Sequence, residues 1–448
     1  MQVCANRMDA PVSTQDGRVF LFLQGPHGPF FHGLGRMLRA AGAAVWRVGF
    51  NAGDRAFWFD KRSYVPYRGT LDAWPQVFSD LLETRRVTDV VLYGDVRPVH
   101  AVAIRIARAR GLRVHVFEEG YLRPWWVTYE RNGSNAHSRL MDLDIETMQR
   151  AVELTEGPTP PPPAHWGDMR HHVFYGALYH WFVLFLNHGY RNFRPHRDLA
   201  VSQEFRLYFK RLMRMPLHRI RRSLATARIR RGGYPYHLVL LQLAHDSSVR
   251  AHSEFSSMCA FLLPVMEGFA KGAPPHHHLV IKEHPLENCR EPLARFIRQT
   301  ARRLGIADRV HHVPGGKLAR LLDHAKSAVT INSTAGQQAL WRGVPLRVFG
   351  RSVYDKPELV SDQPIEAFFA DPRGPNTDAY RTYRQFLLAT CQIPGGYYSR
   401  RGRKQLLRQV VDRMLQAHDP YARALAEDAT EAPQFPSRPA RQLATSGI

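Results

Sequence analysis

The sequence predicts an α/β protein, GT-B-like in outline, with two Rossmann-like domains facing a cleft and a basic helical insertion between them. Three observations predict it. Apolar runs of strand length alternate with helical patterns in two separate stretches, polar or glycine turns follow those strands, and a proline run with a basic segment divides the stretches.

The expected division is residues 1–157 for a first Rossmann-like domain carrying acids, and 158–235 for a proline linker and basic aromatic helical segment. Residues 236–392 are expected to form a second Rossmann-like domain, and 393–448 a C-terminal helix and disordered tail. At 448 residues the chain exceeds one typical core. Its composition, 44% hydrophobic and 23% charged, is that of a globular protein.

In the first stretch, Arg18–Gln24 is an apolar strand followed by Gly25-Pro-His-Gly28 and a helical pattern through Leu34, Leu38 and Ala41. Gly25 and Gly28 would let backbone amides approach a ligand, although the loop is not the GxGxxG of a dinucleotide site. The strand Ala44–Val48 ends at Phe50-Asn51-Ala-Gly-Asp54, another polar turn at a carboxyl edge. Val90–Tyr93 leads into Gly94-Asp95-Val-Arg97-Pro-Val-His100, then the helix Ala101–Arg110, and Val114–Phe117 delivers Glu118 and Glu119 to Gly120. This rhythm implies a parallel sheet over roughly residues 17–150, with both turns opening into one crevice.

Pro158 and Pro160–Pro163 read as a stiff linker. Between Arg191 and Arg231 thirteen Lys/Arg stand against two Asp/Glu, interleaved with Phe193, Phe205, Tyr208, Phe209, Leu212, Met213 and Leu217. That pattern suits a helix on an anionic membrane surface, or a solvated basic face. The net charge of +23 favours an anionic partner, and no nucleic-acid-binding motif accompanies it.

The second rhythm runs through His237–Leu243 into Asp246 and Ser247, then Leu279–Pro285, Val310–Val313, the helix Leu318–His324 and Ala328–Asn332. Ser333 and Thr334 precede a helix Ala335–Trp341, and a last strand lies near Leu346–Phe349. Two such halves across a cleft describe the GT-B architecture of nucleotide-sugar glycosyltransferases. Lys282 and His284 before Pro285, and Asn332, Ser333 and Thr334 at a helix start, together make an anion site, for which a loop histidine and an N-cap serine are the plain structural alternatives. A helix Arg401–Ala417 and a tail disordered from about Glu427 close the chain.

Cys4, Cys259, Cys289 and Cys391 are scattered without metal or disulfide spacing, which fits a reducing cytoplasm. The amino terminus lacks the apolar core of a secretory signal. Val173–Asn187 is fifteen residues long and contains His180, short of the roughly twenty that span a bilayer. No DxD-type ligand pair stands out, so no cofactor and no metal are expected.

The motifs Phe22-Leu-Gln-Gly25-Pro-His-Gly28-Pro-Phe-Phe31, Phe50–Asp54, Gly94–His100, Glu118–Pro124, Gln242 with Asp246 and Ser247, His284-Pro285 and Asn332–Thr334 occur in one order. In this the chain resembles the capsular polysaccharide biosynthesis and export family of the KpsS/LipB type, from about residue 18 to 365. The resemblance implies a cytoplasmic enzyme, peripheral to the inner membrane of Gram-negative bacteria. It would transfer β-Kdo (3-deoxy-D-manno-oct-2-ulosonic acid) from CMP-β-Kdo to a (lyso)phosphatidylglycerol acceptor. That step starts the poly-Kdo linker on which capsule is exported, alongside other capsule synthesis and export proteins. Likeness to bacterial sialyltransferases further implies that His284 contacts the CMP phosphate with Ser333 and Thr334 assisting, and that Gln242, Asp246 and Ser247 serve the donor.

A retaining transfer needs a carboxylate to attack the anomeric carbon and an acid group to take the acceptor's proton. Asp95, Glu118 and Glu119 share these roles without a partition. Arg97, His100 and Arg123 are partners for the Kdo carboxylate or orient the acids, and Gly25, Gly28, Asn51 and Asp54 line the substrate crevice. Two other readings stand beside this one: a non-catalytic export scaffold, and a glycosyltransferase with another nucleotide-sugar donor.

Overall fold

The computed structural model describes residues 17–154, 168–193, 220–243, 252–284 and 291–425, with the isolated positions 206 and 249. Two α/β domains account for them.

The first domain is built on β1 (Val19–Phe22), β2 (Ala44–Gly49), β3 (Tyr64–Pro66), β4 (Asp89–Tyr93), β5 (Arg113–Glu119) and β6 (Trp126–Arg131). Its sheet runs β12-β6-β5-β4-β1-β2-β3, where β12 is Gln392–Pro394. The five strands β5-β4-β1-β2-β3 are parallel, the order of a Rossmann half. Every residue of β1 is buried, as a central strand covered on both faces requires.

The wholly parallel sheet expected over residues 17–150 needs correction. Strand β6 pairs antiparallel with β5, and β12 antiparallel with β6. The chain turns back at once after Glu119, because Gly120 allows a reversal too tight for any side chain.

Helices α1 (Phe30–Ala40), α2 (Ala52–Ala56), α3 (Trp74–Thr84), α4 (Pro98–Ala109), α5 (Ile145–Leu154) and α6 (Asp168–Phe185) belong to this half. Helix α4 opens with Pro98 at its first position, where a missing N–H costs nothing, so it begins earlier than the expected Ala101. Residues 220–231 are helical. Most of the expected basic segment, with Phe205, Tyr208, Phe209, Leu212, Met213 and Leu217, lies outside the described residues.

The second sheet runs β11-β10-β7-β8-β9, all parallel, from β7 (Tyr236–Leu240), β8 (His278–Lys282), β9 (Val310–Val313), β10 (Ala325–Thr330) and β11 (Leu346–Val348). Its helices include α7 (Met258–Gly272), α8 (Leu293–Arg303), α9 (Leu318–Leu322), α10 (Gly336–Leu340), α11 (Ile365–Ala370) and α12 (Thr377–Ala389). Ser257 caps α7, and Glu291 accepts its first free N–H groups from Met258 and Cys259.

After α12 the chain crosses back. Strand β12 joins the first sheet, and α13 (Arg400–Leu415) packs on α1, with Leu406, Val410 and Met414 sharing a core with Phe22, Phe30 and Leu34. The C-terminal helix is therefore a layer of the first domain. Short α14 (Pro420–Ala424) follows and packs against α5.

A single apolar core runs through the junction, joining Tyr121, Trp126, Leu140 and Met148 of the first domain to Leu238, Leu240, Ala328 and Leu340 of the second. Lys356, buried, donates to the carbonyls of Leu140 at 2.6 Å and Met141 at 3.2 Å across it.

Candidate functional site

Strand β4 is followed by Gly94, whose positive φ of 70° turns the chain sharply. His100 Nδ1 holds the Gly94 carbonyl at 2.7 Å from the first turn of α4, and Arg97 lies over the Tyr93 ring. Asp95, only 3% exposed, accepts at Oδ2 from Ser134 N–H at 2.9 Å and from His137 Nδ1 at 3.0 Å. Its Oδ1 is buried without a hydrogen-bond partner among the described residues.

One strand over, Glu118 Oε1 accepts from the Glu119 N–H at 2.9 Å, and its Oε2 packs against Gly94. Burial pushes the Glu118 carboxyl up to about 7. The Glu119 N–H opposes this, the Glu119 and Asp95 charges add to it, and Arg123 opposes it. Glu119 Oε1 accepts from the phenols of Tyr93 at 3.1 Å and Tyr398 at 3.3 Å. Arg123 Nε donates to the Gly120 carbonyl at 3.1 Å.

The loop after β1 lies beside these acids at the switch point between β1 and β4. Gly25 meets the Phe31 ring, and Gly28 faces the Tyr175 ring of α6. Asn51 caps α2 by accepting from Asp54 N–H at 2.9 Å, and its amide donates to the Tyr179 phenol at 2.7 Å. Asp54 is buried and accepts from Gln24, Phe50 N–H, Arg47 and Tyr179, at 3.0 to 3.3 Å. Asn51 and Asp54, expected to bind substrate, are therefore both buried, with their side chains bonded within the protein.

On the second sheet the switch point lies between β7 and β10, and a matched pair occupies it. Gln242 Nε2 donates to Asn332 Oδ1 at 2.9 Å, and the Asn332 N–H donates back to Gln242 Oε1 at 3.2 Å. Lys282 ends β8 with its ammonium 3.2 Å from the Glu283 carbonyl. Burial first, then Arg222, lower its pKa to about 8 against the Glu283 charge. His284 follows, half-buried.

The Ser333 hydroxyl accepts from Ala335 N–H at 3.2 Å, and Thr334 C=O accepts from Gln337 N–H at 3.2 Å. The helix expected over Ala335–Trp341 is only Gly336–Leu340, too short for much dipole, so side chains must supply most of any anion binding. Asp246, Ser247 and Pro285 lie outside the described residues.

The two carboxyl edges meet at the loop after β6. His137, with its side chain 54% exposed, sets its ring edge-on to His252 of the second domain, 5.1 Å between centroids. Arg351, also from the second domain, donates to the Ala136 carbonyl at 3.3 Å. Buried Glu130 ties this loop down by accepting from Ser138, Tyr121 and Tyr421.

Sequence reasoning missed His137, whose carboxylate partner stands 42 positions earlier. The only available signal was the polar run Asn132-Gly-Ser-Asn-Ala-His137 after an apolar stretch. Among the described residues no group of three His, Cys, Asp or Glu side chains could hold a metal ion.

This arrangement places a carboxyl of raised pKa, an anchored carboxylate and an imidazole at one edge of the first domain, and a lysine and an amide pair at the carboxyl edge of the second. Such groups are suited to substitution at a carbon bearing an anionic leaving group.

The family model described as "Capsule polysaccharide biosynthesis protein" matches residues 88–398. The capsule polysaccharide export protein KpsS of Escherichia coli is 32% identical over 384 residues, covering 85% of this chain and 97% of that protein. The capsule polysaccharide modification protein LipB of Neisseria meningitidis is 32% identical over 390 residues, covering 85% of this chain and 91% of its own. Among solved structures, the β-Kdo 2,7 transferase of Thermosulfurimonas dismutans KpsC aligns over 88% of this chain and 99% of its own. Its TM-score is 0.40 and its identity 12%.

Proposed function

Since the chain belongs to the capsule polysaccharide biosynthesis protein family, we propose that it is a retaining glycosyltransferase of capsule linker synthesis. In this reading it moves β-Kdo from CMP-β-Kdo to a phosphatidylglycerol-type lipid at the inner membrane and starts the poly-Kdo linker. The observation that carries the reading is the gathering of Asp95, Glu118, Glu119 and His137 at one edge of the first domain, where the loop carrying His137 also touches His252 and Arg351 of the second.

Asp95 is the nucleophile: His137 and the Ser134 N–H fix Oδ2, which leaves Oδ1 to attack the anomeric carbon. The carbon–oxygen bond to CMP breaks as the bond to Oδ1 forms. Lys282 and His284 receive the charge on the departing phosphate, so no proton need be delivered to it. The acceptor hydroxyl then displaces Asp95 from the same face as CMP left, and its proton passes to Glu118, whose raised pKa suits it to that exchange. Arg97 and Arg123 pair with the Kdo carboxylate, while Tyr93 and Tyr398 hold Glu119 in place.

The name of the Escherichia coli relative speaks of export. A scaffold role would leave a buried, unpaired carboxylate oxygen at the cleft without a use.

The test is incubation with CMP-Kdo, generated in place by a CMP-Kdo synthetase, and a fluorescent lysophosphatidylglycerol, followed by mass spectrometry. A Kdo mass increment abolished by Asp95→Asn is the expected result. An unmodified lipid from a folded protein that binds CMP would move the reading to another acceptor, and selective binding of UDP would sink it.

A further inference from the structure

From Val173 to Phe185 helix α6 has no charged residue and only His180 among its strongly polar ones, a composition expected of a buried helix, yet much of this stretch is exposed. Its inner face is accounted for by packing. Tyr175 covers Gly28, His27 stacks on Tyr179 with centroids 4.3 Å apart, and His172 stacks on Tyr398 at 4.3 Å.

The outer face presents Val173, Phe174, Ala177, Trp181 and Phe185, all exposed and spaced to fall on one side of the helix. Phe174 is 60% exposed, Trp181 46% and Phe185 49%. Three large aromatics in one row form a contiguous apolar patch of the kind that marks a binding surface.

Charge identifies the partner. Arg170 lies on the same face and Arg191 just beyond the helix, and residues 169–193 contain no Asp or Glu. The cationic excess continues, with thirteen Lys/Arg against two Asp/Glu between Arg191 and Arg231. An aromatic stripe rimmed by arginine complements an anionic phospholipid surface, with rings at the headgroup boundary and guanidinium groups on phosphates. The same rim would repel a second copy of the chain. Among the described residues no helix is long and apolar enough to cross a membrane, so α6 would lie in the interface plane.

We propose that the Val173–Phe185 face of α6 is the surface by which this protein docks on an anionic bilayer. Through Tyr179, which bonds both Asn51 and Asp54, the docked helix fixes the first-domain crevice at headgroup level. That consequence rests on the lipid-acceptor reading; the docking itself does not.

The test is co-sedimentation of the full chain with phosphatidylglycerol/phosphatidylcholine vesicles, no sugar donor present. The triple variant Phe174→Glu, Trp181→Glu, Phe185→Glu should bind at least about tenfold more weakly, with an unchanged melting temperature. Trp181→Phe should keep binding but lose the part of the fluorescence that brominated phospholipid tails quench.

Unchanged vesicle binding of the triple variant, or undiminished quenching in Trp181→Phe, overturns the proposal. So does a triple variant that turns a dimer into a monomer while binding vesicles as before, since a second copy would then cover the face. Because no donor is present, failure of the transferase reading leaves each of these readouts intact.

Discussion

His137 Nδ1 lies 3.0 Å from Asp95 Oδ2, and the Ser134 N–H reaches the same oxygen at 2.9 Å. Two donors on one oxygen fix the direction in which the other points. His137→Ala should therefore slow transfer about a hundredfold. Its effect on melting should be small, because the ring is more than half exposed. His137→Asn, whose amide nitrogen occupies the place of Nδ1, should restore much of the rate. Initial rates for the pair decide the matter: an Asn variant as slow as Ala would assign His137 a direct role through Nε2 in place of positioning.

Glu118 makes a prediction in pH. Its folded pKa, raised by burial to about 7, exceeds the unfolded value of 4.5, so the folded state holds the proton more tightly. This contribution favours folding at low pH, weakens as pH rises above 4.5, and is a constant penalty above about 7. Glu118→Gln should thus gain about 1–2 kcal/mol at pH 8 relative to pH 4.5, a value discounted for the side chain's partial exposure. The same variant should lose transfer. Chemical denaturation of both proteins at the two pH values checks it; Glu130, also raised to about 7, cancels in the comparison.

Gly120 is required by close approach. A Cβ there would stand 2.3 Å from the Trp126 carbonyl oxygen and 2.8 Å from that of Leu122, and neither backbone atom can rotate away. Gly120→Ala should cost about 2–4 kcal/mol, read as a lower denaturant midpoint. It should also disturb Glu119, which pairs with Val127 where β5 turns into β6.

Much of this was legible in the sequence because a buried parallel strand must be apolar throughout. Val90–Tyr93 and Val114–Phe117 announced themselves, and their terminal residues carried the acids with them. Gln242 and Asn332 were visible for the same reason, each standing just beyond a strand. What stayed hidden depended on distant pairing. Strand β6 reads Trp-Val-Thr-Tyr-Glu-Arg, polar enough for a loop, and its pairing with β12, whose Gln392 lies 264 positions beyond Thr128, is not visible locally. Asp54 looked like a ligand because nothing local reveals that Arg47 and Gln24 converge on it. The expected spacing placed Ser333 at a substantial helix, but Pro345 and β11 follow too soon to allow one.

At the opposite, amino edge of the second sheet, His278 Nδ1 and His311 Nε2 share a hydrogen bond of 2.8 Å, with Tyr234 stacked on both rings. Burial is the largest cause that lowers His311 to about 4, and the neighbouring His278 and Arg228 add to it. Since this folded pKa lies below the unfolded value of 6.5, the unfolded chain binds the proton more readily in between. The contribution is complete above about pH 6.5 and is lost progressively as pH falls toward 4. His311→Phe keeps the stack on Tyr234 but removes the titrating group. Its melting temperature should start lower at pH 7.5, for want of the hydrogen bond, and should fall less than that of the unaltered protein between pH 6.5 and 5. Parallel slopes for the two proteins would mean that the acid sensitivity of the fold lies elsewhere, with buried His237 and its contacts to Ser327 and His277 the next pair to vary.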